Sequence, residues 1–235
     1  MQRVINFSGG KTSAYMTIME YKQGDIVLFC DTGREHPKTY KFIHDFEAYE
    51  NIPVIWLKYE GGFERLLKER KAIPNRFKKF CTVELKVKTA RRYLRTLGIM
   101  KYENFIGFRG GDEKDRIRNY KSKWKQVVTV FPLRHATKQS INNYWKTKPY
   151  TLEIPSILGN CTLCFQKGKN AITAILREEP ELADPWIADE ENNPKGNTYF
   201  HGITIRQLRS IAQNNLFKDY NLNEIQPAYN CSCTA

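Results

Sequence analysis

Six residues near the amino terminus, Ser8-Gly9-Gly10-Lys11-Thr12-Ser13, constrain the fold of this chain more than any other feature. They follow an apolar run at residues 4–7 that predicts a buried strand, and they precede apolar residues at helical spacing in 15–19. Glycines let the backbone approach a phosphate, and the first N–H groups and the dipole of a helix favour negative charge. The segment therefore predicts an anion-binding loop between a strand and a helix, to which Lys11 and the three hydroxyls add donors.

Two known loop patterns compete for this segment. The Walker A pattern matches at Gly10-Lys11-Thr12 but needs a glycine where the chain has Ile5. The segment is similar in full to S-G-G-x-[DT]-S, the pyrophosphate-binding loop of the ATP pyrophosphatase (adenine nucleotide alpha-hydrolase) superfamily. The alternative is an ordinary turn rich in small residues, since glycine pairs before helices are common.

The rest of the chain predicts an α/β protein. Further strand-like runs occupy residues 25–31, 52–57, 104–108 and 126–133, and Pro53 limits the second of these to a sheet edge or a strand entrance. Helical patterns lie between them, one beginning near Pro37 and one with an apolar stripe at Val83, Val87, Ala90, Leu94 and Leu97. We expect a mostly parallel, doubly wound sheet. The predicted division is a nucleotide-binding domain at 1–150 and an appended, cysteine-containing segment at 151–235, with helices near 169–178 and 205–217.

Three polar segments follow strands of this predicted sheet. They are Ser8–Ser13, Asp31-Thr32-Gly33 and Arg109–Arg116. Ligands of such sheets bind at the carboxyl ends of the strands, so we expect these segments to meet. Asp31 has an alternative role as a turn or N-cap residue. Arg109 and Arg116 suit phosphate or sulfate oxygens, with a structural salt-bridge loop as the alternative.

The positive charge of the chain is concentrated in one stretch. Residues 65–125 carry 20 Lys or Arg and 6 Asp or Glu, a net charge of +14, whereas the remainder has −1. This predicts a basic face for nucleic acid or, equally, a basic surface around a polyanionic nucleotide. The residues expected to lead that face are Lys86, Lys88, Arg91, Arg92 and Arg95. The sequence has no apolar run long enough for a membrane span and no apolar leader, so we expect a cytoplasmic protein without membrane association. In that compartment the cysteines are expected to be reduced. The sequence does not indicate the oligomeric state.

The motifs together resemble the phosphoadenosine-phosphosulfate (PAPS) reductase family, within the ATP pyrophosphatase superfamily and its HUP-like fold. They occur in family order across residues 1–170: SGGKTS at 8–13, FCDTGREHP at 29–37, Cys81-Thr82 with Leu85-Lys86, IGFRGGDEKDR at 106–116, and CTLCFQK at 161–167. The resemblance implies that Asp31, Thr32 and Gly33 contact the nucleoside, with His36 nearby. Asp112 and Glu113 would hold the two arginines or bind Mg²⁺ that accompanies ATP.

Several cysteines are candidate ligands of a metal ion or an iron–sulfur cluster. Cys161 and Cys164 form a CxxC, which in a reducing compartment indicates a metal, a cluster or a redox pair. The resemblance implies that Cys81 is a ligand of a 4Fe–4S cluster, completed by Cys231 or Cys233 of the tail. Zinc and an incidental set of buried thiols are the alternatives. Cys30, inside a predicted strand, is expected to be a core residue.

Two departures from the reductases shape the functional hypothesis. The tail has Asn230-Cys231-Ser232-Cys233 instead of a Glu-Cys-Gly-type sequence, and the phosphate loop is intact. The intact loop resembles that of iron–sulfur members such as the DNA phosphorothioation ATP pyrophosphatase, and the basic face suits their nucleic-acid substrate. The first hypothesis is therefore an enzyme that cleaves ATP to AMP and pyrophosphate and supports sulfur transfer to nucleic acid, with Lys11, Arg109, Arg116 and Asp112 as catalytic residues. The alternatives are a PAPS or APS reductase served by a thioredoxin-like reductant and a non-catalytic nucleotide- or nucleic-acid-binding module.

The predicted loop gives one expectation about tolerance to mutation. Gly9→Ala is expected to abolish ATP binding while the fold survives, on the view that the loop lies outside the core.

Overall fold

The computed structural model describes residues 1–120, 125–214 and 221–228. Within these ranges one five-stranded sheet forms the centre of the molecule, in the order β3-β2-β1-β4-β5, and every neighbouring pair is parallel. The strands are β1 (Gln2–Asn6), β2 (Ile26–Asp31), β3 (Ile55–Lys58), β4 (Tyr102–Phe105) and β5 (Val127–Val130). The predicted α/β class with a doubly wound parallel sheet is confirmed. β3 is an edge strand, one of the two alternatives that Pro53 left open, and it begins at Ile55, after the proline.

Helices connect these strands and continue beyond the sheet. They are α1 (Lys11–Glu20), α2 (Pro37–Glu50), α3 (Gly62–Arg70), α4 (Thr89–Thr96), α5 (Lys114–Arg118), α6 (Lys138–Trp145), α7 (Lys169–Glu178), α8 (Asp184–Glu191) and α9 (Ile205–Asn214). Pro37 is the first residue of α2, where its missing N–H costs no helical bond. In the described part of the chain, no helix is both long and apolar enough to cross a membrane.

Alternation along the strands sends neighbouring side chains into two cores on opposite faces of the sheet. Ile5 and Phe29 pack with α1, α2 and α6, whereas Val4 and Leu28 pack with Ala90 and Leu94 of α4. Because both faces of the central strands are covered, neighbouring residues can both be apolar, as Val4 and Ile5 are in β1 and Ile26–Cys30 are in β2. The other residues of β1 and the two middle residues of β4 are polar.

A third apolar cluster belongs mainly to the C-terminal segment. Side chains of α7, α8 and α9 pack there against Phe63 and Leu66 of α3 and against Leu85. The core of the sheet extends to Leu152. The C-terminal segment thus shares its core with the chain between β3 and β4, and the domain boundary at residue 150 stays a prediction.

The apolar stripe predicted from residue 83 to 97 is not one α-helix. Residues Thr82–Lys88 form a π-helix, and α4 follows it. A π-helix closes its turns over five residues and shifts the side chains relative to an α-helix. As a result Val83 and Leu97 are exposed, whereas Leu85 and Lys86 point inward.

Candidate functional site

A cleft of about 1130 Å³ opens at the carboxyl ends of β1 and β4. Its walls include the whole loop Ser8–Ser13, the residues Phe108–Arg109 and Gly111–Arg116 after β4, and Cys164 with Gln166 and Lys167 from the C-terminal segment. Two of the three polar segments expected at this edge therefore line one cavity. The third, Asp31-Thr32-Gly33, is not among the described residues that line the cleft.

The glycine loop is closed by the hydroxyl of Ser13. Ser13 Oγ accepts from Ser8 N and from Ser8 Oγ, each at 3.0 Å, and donates to Gly10 O at 3.0 Å. Ser13 is buried, so its hydroxyl shapes the loop from inside. The contacts of Ser13 thus stabilise the conformation of the loop, and its contact with a nucleotide stays a prediction.

The N-terminus of α1 suits an anion. Gly10 occupies the cap position without a side chain to satisfy the first N–H groups of the helix, and Lys11, Thr12 and Ser13 of the first turn all line the cleft. Burial lowers the pKa of Lys11 below its usual value. The backbone behind the loop is held by Trp145 of α6, whose Nε1 donates to Lys11 O at 2.9 Å. The residues present thus fit a phosphate-bearing ligand.

Gly9 is a core position, contrary to the expectation that the loop lies outside the core. Gly9 is buried with φ at +74°, and a Cβ there would lie 2.8 Å from Thr39 Cγ2 and 3.0 Å from Ile43 Cδ1. An alanine side chain would therefore strain the backbone and collide with α2. Gly9→Ala is consequently expected to destabilise the fold as well as the loop.

The loop after β4 is an internally paired cluster of charges. Arg109 Nε donates to Asp112 Oδ1 at 2.8 Å, Arg109 N donates to Glu113 Oε2 at 3.0 Å, and Arg116 pairs with Glu113 Oε1. Arg109 Nη1 also reaches Thr12 Oγ1 at 3.3 Å, which joins this loop to the glycine loop. Asp112 Oδ2 accepts from Lys138 N at 2.7 Å. Asp112 and Glu113 thus hold the arginines, which favours that alternative over direct Mg²⁺ binding.

The glycines of this loop serve packing. A Cβ on Gly110 would lie 2.1 Å from Arg134 O, and one on Gly111 would lie 2.8 Å from Ala136 O. Gly110 N and Gly111 N donate to Leu133 O and Ala136 O at 2.7 and 3.0 Å. The glycine pair lets the loop lie against the backbone that follows β5.

The Asp31-Thr32-Gly33 turn faces the C-terminal segment. Asp31 Oδ1 accepts from Gly33 N and from Tyr40 Oη, both at 2.7 Å, the bonding of a turn residue. Thr32 Oγ1 lies 3.4 Å from Cys161 Sγ and donates to Glu35 Oε1 at 3.1 Å. The nucleoside contact that the resemblance implied for these residues stays a prediction.

His36 also has a structural role. His36 Nδ1 accepts from Lys38 N at 3.1 Å as the cap of α2, and its Nε2 lies 2.8 Å from Glu179 Oε2. Both ring nitrogens are engaged in these contacts.

Three of the five candidate metal ligands border one apolar cluster. Cys164 belongs to the cluster of the C-terminal segment, and Cys81 and Cys161 pack against it. Their thiolates would suit iron or zinc. Among residues 1–120, 125–214 and 221–228, however, no three His, Cys, Asp or Glu side chains are grouped so as to hold a metal ion. Cys231 and Cys233 lie outside the described residues, so the described cysteines alone do not make the four-thiolate site.

Cys30 lines the cleft but is a poor nucleophile. Burial raises the pKa of its thiol to about 11, although Lys86 opposes the shift. We expect iodoacetamide at pH 8 to modify Cys30 far more slowly in the native protein than in the urea-unfolded protein, as followed by the mass of its peptide. Equal rates in the two states would contradict this assignment.

The prediction that Lys86 is one of the main cations of the basic face is wrong. Its side chain is inside the molecule, 6% exposed, where it lines the cleft with Nζ 3.8 Å from Glu35 Oε1. The exposed cations of that set are Lys88, Arg92 and Arg95, and Arg91 is half-buried. The π-helix accounts for the inward position of Lys86, because the α-helical spacing assumed from the sequence puts it on the outer face.

A buried charge network that the sequence did not indicate ties the segment after β2 to the C-terminal segment. Arg34 Nη2 donates to both carboxylate oxygens of Asp189 at 2.9 Å, and Tyr199 Oη donates to Asp189 Oδ2 at 2.8 Å. Burial raises the pKa of Asp189, although Arg34 opposes this. Thr162 N donates to Arg34 O at 2.8 Å, so the network also positions the CxxC turn.

Comparisons of the sequence with known proteins identify a family and several relatives. A family model described as the phosphoadenosine phosphosulfate reductase domain matches residues 2–153. An uncharacterized nin region protein of Escherichia phage lambda is 32% identical over 213 residues, which cover 77% of this chain and 72% of that protein. An uncharacterized protein of Methanocaldococcus jannaschii is 26% identical over 200 residues, and the match spans 78% of this chain but only 40% of that longer protein.

Similar chains are also found among solved structures. The crystal structure of phosphoadenylyl-sulfate (PAPS) reductase from Candida auris, in complex with phosphate, matches with a TM-score of 0.46 and 17% identity, covering 64% of this chain and 74% of its own. The family model extends over well more than half of the chain and includes both loops that line the cleft. The chain therefore belongs to the phosphoadenosine phosphosulfate reductase domain family.

Proposed function

We propose that this protein is an ATP pyrophosphatase-type enzyme that activates an acceptor, with nucleic acid as the acceptor class, for sulfur transfer. The family to which it belongs consists of enzymes that use adenine nucleotides. In the proposed reaction an acceptor oxygen or nitrogen bonds to the α-phosphorus of ATP. The bond from that phosphorus to the α,β-bridging oxygen breaks, and pyrophosphate leaves.

One observation carries the proposal. The intact loop Ser8–Ser13 and the uncapped N-terminus of α1 share a cleft with Arg109 and Arg116. The loop amides and Lys11 would hold the β- and γ-phosphates, since a helix N-terminus favours a multiply charged anion. ATP would bring Mg²⁺ with it, as nucleotide triphosphates generally do.

The arginines would act on the α-phosphate. Arg109 is held by Asp112 and touches Thr12, so its direction toward the loop is set before substrate binds. A guanidinium has five N–H donors, so Arg109 can keep these contacts and still donate to a phosphate oxygen. Donors fixed in advance stabilise the charge that develops in the transition state more than flexible ones do.

A 4Fe–4S cluster is part of the proposal. Cys81, Cys161 and Cys164 would supply three thiolates, with the fourth from Cys231 or Cys233, and zinc is the alternative. A bound cluster would supply electron-transfer chemistry. The support is the shared apolar surroundings of the three described thiols.

Anaerobic purification tests the cluster. We expect a brown, oxygen-sensitive protein with broad visible absorption, because thiolate-to-iron charge transfer absorbs across that range. Cys161→Ser is expected to remove the colour, whereas Cys30→Ser keeps it, because the buried, protonated Cys30 is outside the proposed ligand set. A colourless anaerobic protein with stoichiometric zinc would rule out the cluster and leave the nucleotide site intact.

Product analysis tests the reaction itself. The proposal expects pyrophosphate release from ATP, stimulated by the acceptor and lost in Lys11→Met. Sulfite release from APS or PAPS in the presence of thioredoxin would instead identify a reductase, a reading favoured by the position of Cys164 in the wall of the same cleft. Nucleotide binding without either product would identify a non-catalytic module.

A further inference from the structure

A basic loop outside the cleft contains an exposed aromatic ring. Residues 74–80, between α3 and the π-helix, read Pro-Asn-Arg-Phe-Lys-Lys-Phe. Phe77 is 83% exposed, the largest exposed fraction among the large apolar side chains of the described chain. Arg76, Lys78 and Lys79 beside it are also exposed. We call residues 74–80 the Phe77 loop.

The Phe77 loop has a defined turn. Asn75 N donates to Lys78 O at 3.2 Å, and Lys78 N donates to Asn75 O at 3.1 Å. The side-chain oxygen of Asn75 accepts from Phe77 N at 3.0 Å and from Lys78 N at 3.1 Å. The preceding Ile73 is buried in the C-terminal cluster, which anchors one end of the turn. The Phe77 ring is thus held outward by backbone and Asn75 contacts.

Cations from the neighbouring helices continue the same surface. Glu84 accepts from Lys88 Nζ at 2.9 Å and pairs with Arg70, so α3 and the π-helix present their cations side by side. Arg70 also lies over the ring of Phe80, 5.9 Å from its centroid, which connects α3 to the Phe77 loop. Further exposed cations are Lys68 of α3, Lys71 directly after α3 and Arg92 of α4. An exposed ring among cations matches a partner that offers both phosphates and flat apolar rings.

We propose that the Phe77 loop binds single-stranded nucleic acid, with Phe77 stacking on an unpaired base and the flanking cations contacting phosphates. This deepens the proposed function, because it rests on nucleic acid as the acceptor. Bases in a duplex are already stacked on each other, whereas an unpaired base offers its face to an aromatic side chain. The cations alone would bind duplex and single strand alike, so Phe77 is what favours the single strand.

Fluorescence anisotropy with a labelled single strand of about 12 nucleotides, the size that such surfaces cover, tests the proposal. Phe77→Ala is expected to weaken binding about tenfold and to leave the salt slope of log K unchanged, because it removes stacking and no phosphate contact. Phe77→Trp should retain the affinity. Lys78→Ala should instead reduce the slope by about 0.7, the value for one phosphate contact on a single strand.

The controls separate this proposal from its alternatives. Tyr49→Ala removes another exposed aromatic ring, one that stacks on Tyr150 of the sheet core, and should not change binding. Equal affinity of Phe77→Ala and the parent protein, or no binding of any single strand, would overturn the proposal. Phe77-dependent binding to vesicles of anionic lipid without binding to the oligonucleotide would overturn it in favour of a membrane surface.

The outcome is independent of the chemistry in the cleft. Phe77 does not line the cleft, so Phe77→Ala should bind ATP like the parent protein. Phe77-dependent binding of the single strand in a protein that releases no pyrophosphate would support this proposal while the proposed reaction fails. Pyrophosphate release from a protein that binds no single strand would support the proposed reaction and overturn the proposal for the Phe77 loop.

Discussion

Replacing Asp189 with alanine is expected to lower the free energy of unfolding by about 3 kcal/mol, the low end for removal of one partner of a buried ion pair. The Arg34 side chain is 7% exposed and would keep its charge without the two hydrogen bonds to Asp189. Its second partner, Glu64, lies 2.9 Å away and keeps part of the compensation. Urea unfolding of the two proteins measures the difference.

Glu64→Gln is the matched control for this prediction. Glu64 pairs with the same guanidinium but is 58% exposed, and exposed pairs contribute about 0–1 kcal/mol. If Asp189→Ala and Glu64→Gln lowered the free energy of unfolding equally, burial would not be the reason that the Asp189–Arg34 pair stabilises the fold. Hydrogen exchange at Thr162 N adds a local readout, because this amide bonds to Arg34 O and should exchange faster when the network is broken.

Lys11→Met is expected to weaken ATP binding by about 10–150-fold, the range for loss of a hydrogen bond to a charged group. Lys11 lines the cleft at the first turn of α1 and has the length to reach a phosphate beside the loop amides. AMP has no β- or γ-phosphate, so its weaker binding should change far less. Calorimetry with ATP, AMP, APS and PAPS measures the changes in affinity for each nucleotide. Lys22→Met is the control for loss of positive charge, because Lys22 is exposed and follows α1.

The lowered pKa of Lys11 adds a pH dependence to this prediction. Its charged form binds phosphate, so ATP affinity should fall as pH rises through the pKa, which burial moves below that of an ordinary lysine. Lys11→Met should lose this alkaline step. An identical pH profile in parent and variant would show that another group controls it. Tight APS or PAPS binding without a preference for ATP would favour the reductase alternative.

Much of the architecture was predictable from the chain itself. The alternation of buried strands with helices predicted a parallel sheet, and Pro37 correctly indicated a helix start. Pro53 left an edge strand or a strand entrance as alternatives, and β3 is an edge strand. The helix at residues 169–178 has the predicted bounds. These features are encoded locally, because backbone geometry repeats every two or 3.6 residues and proline restricts its own φ.

The pattern from residue 83 to 97 was misleading for a physical reason. An assumed α-helical period assigned Lys86 to the outer surface, but the π-helix turns it into the cleft. Nothing in the spacing of apolar residues distinguishes the two periods over a stretch of seven residues. The same difficulty applies to Gly9, whose contact with Thr39 and Ile43 depends on how α2 packs on β1.

By itself, the sequence determined the parallel α/β class, the family, and the presence of a glycine loop and an arginine loop after two strands. The tertiary structure decided that these two loops meet in one cleft, that Asp31 accepts a hydrogen bond from Tyr40 of α2, and that Arg34 pairs with Asp189. The last pair joins residues 155 positions apart. Local periodicity reports the backbone around a residue, whereas the partner of a buried charge is set by the packing of whole elements, and only the folded chain brings those elements together.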